Sequence, residues 1–329
     1  MNHLKRLALL GAGLLGLSLG VQAAASERFL ETPGPSGPLK GTLLSPAMSP
    51  AAVLLIIPGS GPTDRDGNSP AGIRASTYRL LAEGLAAHQV ASLRIDKRGM
   101  FASAAATPDA NAVTIADYAA DVRAWVAALR KQTAAPCVWL LGHSEGGLVA
   151  LAAAQNQTDV CGLVLVATAG RPMGEVLREQ LKANPANGPI LGQALPAIDA
   201  LERGKRVDTA GLHPALQGLF NPAVQGFMIN AFSYDPRPLL ARISRPVLLL
   251  QGQRDIQVGE ADARLLQQAH PPAHLALLPD VNHVLKTVAT DDPRANMAAY
   301  ADPSLPLAAG VVETIADFLA AEAKGTASR

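Results

Sequence analysis

The sequence has no excess of charge of either sign and no cluster of basic residues. Its 329 residues include 28 Lys and Arg and 27 Asp and Glu, which gives a net charge of +1. No run of Lys or Arg is longer than two residues, so the concentrated positive patch that nucleic-acid binding requires is not expected. Because 49% of the residues are hydrophobic and 17% are charged, the chain can bury a large core and disorder is not indicated.

Long apolar runs are also missing, except for one near the start of the chain. Residues 7–21 form that run, Lys5 and Arg6 precede it, and Ala23 to Ala25 follow it. Such a pattern is typical of a secretory signal peptide and predicts that residues 1–23 are removed. A membrane anchor is the alternative, but about 15 apolar residues fall short of the roughly 20 that span a bilayer. We therefore expect a periplasmic or secreted protein without stable membrane insertion. A lipid anchor is not expected, because no cysteine follows the apolar run where cleavage is predicted.

Cysteine is rare, because Cys137 and Cys161 are the only two. They lie beside two apolar segments, 137–141 and 162–167, each of which predicts a strand. If these strands are neighbours, about 4.8 Å apart, their amino ends are close enough for a disulfide in an oxidising compartment. Two buried free thiols are the alternative. Neither cysteine is expected to be a nucleophile, since both lie at the amino edge of the predicted sheet.

Apolar strand patterns alternate with helical patterns along most of the chain. Strands are predicted at 28–31, 39–44, 52–57, 90–95, 137–141, 162–167, 246–250 and 275–278, and helices at 78–87, 115–130, 148–155, 260–269 and 311–323. The alternation indicates an α/β fold with a mostly parallel, doubly wound sheet that begins with an antiparallel hairpin. Ligands in such sheets bind beyond the carboxyl ends of the strands, so the site is expected in those loops.

Residues 171–240 interrupt this alternation, because they contain no clear strand pattern. Helix-like pieces occur at 173–183 and 191–202. An insertion at the carboxyl end of a strand would lie over the binding edge, so a mostly helical cap is predicted between the core segments 24–170 and 241–329. An ordinary surface excursion is the alternative.

The segment Gly142-His143-Ser144-Glu145-Gly146 matches the pattern G-x-S-x-G between a predicted strand and a predicted helix. The glycines on both sides of Ser144 leave room for a sharp turn that holds its hydroxyl above the sheet edge. The helix that follows would direct free N–H groups toward an oxyanion. This setting predicts Ser144 as a nucleophile, with a tight turn of no chemical role as the alternative.

A serine nucleophile needs a histidine base and an acid that orients the histidine. When the serine comes first in the chain, the acid is expected after a later strand and the histidine after the last one. Asp255 and His283 occupy those positions. Asp280 is the alternative acid, although it precedes His283 by only three residues on the same tight loop. His143, which adjoins Ser144, is expected to point away from the serine.

The loop Pro58–Asn68 follows the first central strand, where a second oxyanion donor is expected. Its Gly59-Ser60-Gly61 turn allows the backbone to approach a substrate oxygen closely. We expect the N–H of Ser60 or Gly61, with that of Glu145, to bind the oxyanion. A glycine-rich turn without function is the alternative. A phosphate site is not expected, because the turn continues into neither G-K-[ST] nor G-x-G-x-x-G.

The order of serine, acid and histidine, with this loop and the cap segment, resembles the α/β-hydrolase superfamily. Three motifs, Pro58–Asn68, Arg94–Gly99 and Gly142–Gly147, make the chain similar to a bacterial group of serine carboxylesterases. The resemblance implies hydrolysis of a small-molecule ester through an acyl-enzyme, without metal or cofactor. The leading hypothesis is an exported esterase for small or medium acyl chains.

The loop after the predicted strand 90–95 departs from that group. Related sequences often continue the Arg-Gly of this loop with small residues, whereas Met100 and Phe101 follow Arg98-Gly99 here. These bulky side chains either line the acyl pocket or pack under the cap. Asp96 and Arg98 are expected to brace the loop by a salt bridge.

Two other functions fit the same residues. A peptidase or amidase would use the same triad, because the motif does not specify the leaving group. A hydrolase-fold protein that binds without catalysis is a further alternative, although it would have no need for all three triad residues. The sequence does not predict an oligomeric state.

Overall fold

The computed structural model describes residues 24–290 and 292–327, so the predicted signal peptide at 1–23 lies outside the described residues. Within this part of the chain, eight strands form one sheet. In chain order they are β1 (Ser26–Pro33), β2 (Pro38–Ser45), β3 (Ala52–Ile57), β4 (Val90–Ile95), β5 (Val138–His143), β6 (Val160–Val166), β7 (Val247–Gly252) and β8 (His274–Leu278).

The order of strands across the sheet is β1-β2-β4-β3-β5-β6-β7-β8. The pairs β1–β2 and β2–β4 are antiparallel, and all the others are parallel. The carboxyl ends of β3, β5, β6, β7 and β8 therefore meet at one edge. The predicted fold, a mostly parallel sheet with an antiparallel hairpin at its start, is confirmed.

Helices cover both faces of the sheet, which explains why the central strands are apolar on both sides. Along β3, Val53 and Leu55 pack in the same core as Trp125, whereas Leu54 and Ile56 belong to the core on the other face. The helices are α1 (Thr77–Ala87), α2 (Ile115–Thr133), α3 (Glu145–Ala153), α4 (Met173–Ala183), α5 (Gly188–Glu202), α6 (Pro214–Leu219), α7 (Gln225–Phe232), α8 (Pro236–Ala241), α9 (Glu260–Ala269), α10 (Pro293–Ala301) and α11 (Val311–Ala327). No helix among the described residues is both long and apolar enough to cross a membrane.

The segment that was predicted as a helical cap contains α4 to α8 and no strand. Its helices enclose a small core of their own, which includes Ile198, Leu201 and Phe220. Arg171, at the start of the segment, is anchored to the main body because its guanidinium donates to the buried Asp262 carboxylate of α9. The exact division into core and cap stays a prediction.

Cys137 and Cys161 form a disulfide, with their Cα atoms 5.2 Å apart. Cys137 immediately precedes β5, and Cys161 lies near the start of β6. The bond therefore joins neighbouring strands at the amino edge of the sheet, away from the edge where Ser144 lies.

Candidate active site

Ser144 lies on a sharp turn between β5 and α3. Its backbone angles, φ 56° and ψ −122°, fall in a region that only glycine adopts easily. A Cβ at Gly142 would lie 2.3 Å from the Gly146 carbonyl oxygen, and a Cβ at Gly146 would lie 2.3 Å from that of Ile57. Both glycines are therefore required by close backbone packing at the turn, as the sequence pattern predicts.

Asp255 and His283 come from the loops after β7 and β8 and contact each other. The His283 Nδ1 lies 2.7 Å from Asp255 Oδ2. The Asp255 side chain is fully buried, and its Oδ1 accepts hydrogen bonds from the backbone N–H groups of Gln257 and Val258 at 2.7 and 3.0 Å. Such a carboxylate holds the proton of the imidazole on Nδ1 and leaves Nε2 free to act as a base.

The alternative acid, Asp280, has Arg254 as its ionic partner. Its carboxylate lies 3.8 Å from Arg254 Nε and is about half exposed, at 54%. By contrast, Ser144 and His283 line one cavity. The structure thus brings Ser144, Asp255 and His283 together, and their catalytic roles stay a prediction.

Backbone donors of three residues lie beside the cavity that Ser144 lines. Within the described part of the chain, the N–H groups of Ser60, Gly61 and Glu145 have no hydrogen-bond acceptor. Glu145 is the first residue of α3, so its N–H lies at the positive end of the helix dipole. Ser60, Gly61 and Glu145 all line a cavity with Ser144, and their role as oxyanion donors stays a prediction.

His143 points away from Ser144, as expected, but it contacts His283. Its Nδ1 lies 2.9 Å from Tyr78 Oη and its Nε2 lies 2.8 Å from the His283 carbonyl oxygen. Because Tyr78 Oη accepts from the Gly59 N–H at 3.0 Å, it is free to donate its own proton to His143 Nδ1. The Nε2–H of His143 then donates to the His283 carbonyl.

Burial lowers the pKa of His143 to about 3, helped by the nearby His283 ring. His143 is therefore neutral at ordinary pH and acts as a hydrogen-bonded brace for the His283 backbone. Sequence reasoning missed this role, because nothing in the motif indicates that Tyr78 and the His283 loop converge on this ring.

Two cavities meet at Ser144. The larger has a volume of about 390 Å³ and lies between the core and the cap, with apolar walls that include Leu148, Val176 and Phe227. The smaller has a volume of about 70 Å³ and is lined by His283 and Tyr300, among others. The sequence did not identify the cap side chains or Tyr300 as site residues.

Met100 and Phe101 line neither cavity that contains Ser144, which contradicts the first of the two alternatives, that they line the acyl pocket. Phe101 instead lines a separate cavity beside β1 and β2, together with Phe29. The loop after β4 folds in that direction because Ser103 Oγ accepts from the Lys40 N–H of β2 at 2.9 Å.

Asp96 and Arg98 brace their loop through separate partners rather than through each other. The Arg65 Nε donates to Asp96 Oδ2 at 3.0 Å, which ties the loop Pro58–Asn68 to the end of β4. The Arg98 Nε donates to Asp121 Oδ2 at 2.6 Å, which ties the same end of β4 to α2.

Comparison with known proteins identifies the family of the chain. The family model described as serine aminopeptidase, S33 matches residues 72–287. Esterase EstD of Thermotoga maritima is 27% identical over 253 residues, which cover 75% of this chain but 58% of that esterase. The chain thus spans less than two thirds of that relative's length.

Solved structures agree on the fold. Est1E from Butyrivibrio proteoclasticus superposes with a TM-score of 0.57 at 16% identity, covering 89% of this chain and 98% of the other. The α/β hydrolase GrgF from Penicillium sp. sh18 superposes with a TM-score of 0.57 at 19% identity, covering 91% and 99%. Because the family model matches more than half of the chain and includes the elbow, the acid and the histidine, the protein belongs to the serine aminopeptidase S33 family of α/β hydrolases.

Proposed function

We propose that the protein is an exported serine hydrolase that cleaves carboxylic esters through an acyl-enzyme. The observation that carries this proposal is the buried contact of 2.7 Å between Asp255 and His283, beside a strained Ser144 and free backbone donors. The similarity to Esterase EstD supports an ester substrate. Ser144 is the nucleophile, His283 the base and Asp255 the orienting acid.

The reaction follows from this geometry. His283 Nε2 takes the proton of Ser144 as the hydroxyl attacks the ester carbonyl, and the N–H groups of Ser60 and Glu145 bind the oxyanion. The protonated His283 then gives its proton to the leaving alcohol. Water attacks the acyl-enzyme with His283 again as the base, and the acid is released.

The charge of the cavities favours an ester over a peptide with a free amino terminus. An aminopeptidase must bind the substrate ammonium, and a carboxylate is the usual partner for such a group. Among the residues that the structure describes, Glu145 is the only acidic one that lines either cavity at Ser144, and its carboxylate is buried against Lys97. We therefore expect ester hydrolysis to exceed aminopeptidase activity.

The two cavities indicate which part of the ester each receives. His283 must protonate the leaving alcohol, so the alcohol lies in the small cavity that His283 lines. The acyl chain then occupies the larger, apolar cavity of about 390 Å³, near the lower end of the usual range for small-molecule sites. At about 70 Å³, the cavity that His283 lines is much smaller than the acyl cavity, so we expect it to favour a small alcohol such as methanol or ethanol.

The first experiment is labelling by a fluorophosphonate probe, with Ser144→Ala as the control. Labelling of the wild type at Ser144, and its loss in the variant, is the expected result. An unlabelled but folded wild type would instead favour a non-catalytic binding protein. Comparison of p-nitrophenyl esters with amino-acid p-nitroanilides then separates an esterase from an aminopeptidase.

A second experiment tests the assignment of the cavities. Methyl esters of increasing acyl length should show kcat/KM rising to a medium chain and then falling. With the acyl group fixed, kcat/KM should fall as the alcohol grows from methyl to butyl. The opposite pattern, with tolerance of large alcohols and short acyl chains only, would reverse the assignment.

Export is part of the same proposal. The signal-like start of the sequence and the Cys137–Cys161 disulfide both suit an oxidising compartment. Mass spectrometry of the protein from a fractionated bacterial host should find a mature chain that starts near Ala24 in the periplasm or medium. A full-length chain in the cytoplasm would contradict export and leave the hydrolase proposal intact.

A further inference from the structure

Lys97 is a buried lysine directly behind the catalytic turn. Its side chain is 4% exposed, and its Nζ lies 2.6 Å from the Gly59 carbonyl oxygen and 3.5 Å from Glu145 Oε1. Burial lowers the pKa of Lys97, and the Glu145 carboxylate opposes this shift. Removing an ammonium from water is costly, so a position of this kind calls for a specific role.

The contacts of Lys97 join the two backbone segments that would bind the oxyanion. Gly59 immediately precedes Ser60, whose N–H is one expected donor. Glu145 supplies the other N–H from its backbone, while its side chain reaches Lys97. Lys97 itself follows β4, so a single side chain connects the loops after β3, β4 and β5.

Peptide geometry determines how this contact orients the Ser60 donor. In a planar trans peptide, the carbonyl of one residue and the N–H of the next point in opposite directions. The Gly59 carbonyl points inward to Lys97, so the Ser60 N–H points outward, to the side where Ser60 and Ser144 line a common cavity. The Gly59 N–H is held separately by Tyr78 Oη at 3.0 Å.

We propose that Lys97 is a positioning residue for the oxyanion hole, which holds the Gly59–Ser60 peptide so that the Ser60 N–H faces the reacting carbonyl. This inference rests on the proposed function. It also selects Ser60 over Gly61 as the donor from the loop after β3.

The alternative is a buried ion pair that serves stability alone. The pair is poorly arranged for that purpose, because Glu145 Oε2 is buried and has no hydrogen-bond partner among the described residues. An unsatisfied buried carboxylate oxygen destabilises the fold. The short contact of Lys97 is with the Gly59 carbonyl rather than with the carboxylate.

The test uses the double variant Lys97→Met/Glu145→Gln, compared with Glu145→Gln alone. Removal of both charges avoids an unpaired buried carboxylate, which would by itself destabilise the protein. Relative to the single variant, the double variant should lose about 10- to 100-fold in kcat with KM nearly unchanged, because misdirection of one donor weakens only the transition state. The rate of fluorophosphonate labelling should fall by a similar factor.

Asp121→Asn provides a matched control. It breaks the buried Arg98–Asp121 pair at the same end of β4 but touches neither Gly59 nor the catalytic turn. It should lower the melting temperature and leave kcat and the labelling rate unchanged.

Three outcomes decide the matter. The inference is overturned if the folded double variant keeps the kcat and the labelling rate of Glu145→Gln. It is also overturned if kcat falls only in proportion to stability and Asp121→Asn shows the same relation. A selective loss of kcat in the double variant supports it. Failure of the wild type to be labelled at all would count against the proposed function instead.

Discussion

At the scale of single residues, Ser144 shows how the fold holds a reactive group in a conformation the residue does not favour. Its φ of 56° is imposed by the junction of β5 and α3, and strain of this kind typically costs about 1–3 kcal/mol. The two neighbouring glycines could be predicted from the sequence, because only residues without Cβ fit the backbone contacts there.

Comparison of Ser144→Gly with Ser144→Ala measures this strain. Both variants should be inactive, but glycine adopts the observed angles without strain whereas alanine does not. The glycine variant should therefore be more stable by about 1 kcal/mol, even though glycine usually destabilises a folded protein through the entropy of the unfolded chain. Urea denaturation checks this, and an equal or lower stability of the glycine variant would show that the turn is relaxed.

His143 gives the protein a stability that depends on pH. Burial lowers its folded pKa to about 3 from 6.5, so between these values the unfolded state binds a proton that the folded state does not. Stability should therefore fall as pH drops from about 6.5 toward 3, by at most about 1.4 kcal/mol per unit from this residue.

The variant His143→Gln separates this contribution from that of the rest of the protein. Its free energy of unfolding, measured by urea at pH 7.5 and pH 5, should change less with pH than that of the wild type. Equal pH dependence in both proteins would show that His143 titrates normally in the fold.

Sequence order predicted that Ser144, Asp255 and His283 lie at one edge of the sheet, because the loops at the carboxyl ends of parallel strands have a fixed succession. Lys97 and His143 belong to motifs that the sequence shows, yet their roles depend on which side chains other strands and helices bring to them. Such contacts between distant segments are not encoded by spacing along the chain.

At the scale of elements, the disulfide ties two neighbouring strands on either side of the catalytic turn. The bonded cysteines are 24 residues apart, and a loop of this size corresponds to roughly 3 kcal/mol of stabilisation. Both lie at the edge of the sheet opposite the cavities, so the bond should affect stability and not catalysis.

The variant Cys137→Ala/Cys161→Ala tests that separation. Its free energy of unfolding should fall by about 3 kcal/mol, while kcat and KM should stay at wild-type values at a temperature where the variant is folded. A loss of kcat in the folded variant would show that the bond also holds the geometry of the turn.

The elements of the core could be predicted more completely than those of the cap. Strands β3 to β7 are mostly apolar segments bounded by turn residues, and α2 has a capping box formed by Thr114 and Asp117. The helix α10 was missed, although Asp292 caps its start and Pro293 is its first residue. The short helices α6 and α8 of the cap have six residues each, too few to show a period.

At the scale of the whole molecule, alternation of strands and helices was enough to predict the sheet and the edge at which the site lies. The cavities were beyond prediction, because their walls combine residues from the cap, the loop after β3 and α10. For the same reason, the sequence left open whether Met100 and Phe101 line the acyl pocket or pack under the cap. Their bulk was visible in the sequence, but the direction in which the loop after β4 folds was not.

The small cavity beside His283 has a consequence for the fate of the acyl-enzyme. Once the alcohol has left, the deacylating water must approach from the same side, because His283 activates it. Room for about 70 Å³ admits methanol as well as water. Methanol should therefore compete as the acyl acceptor, so that transesterification accompanies hydrolysis, whereas octanol should not. The ratio of new ester to free acid, measured in aqueous methanol and in octanol-saturated buffer, tests this. A ratio that methanol does not change would mean that the deacylating water does not enter through the small cavity.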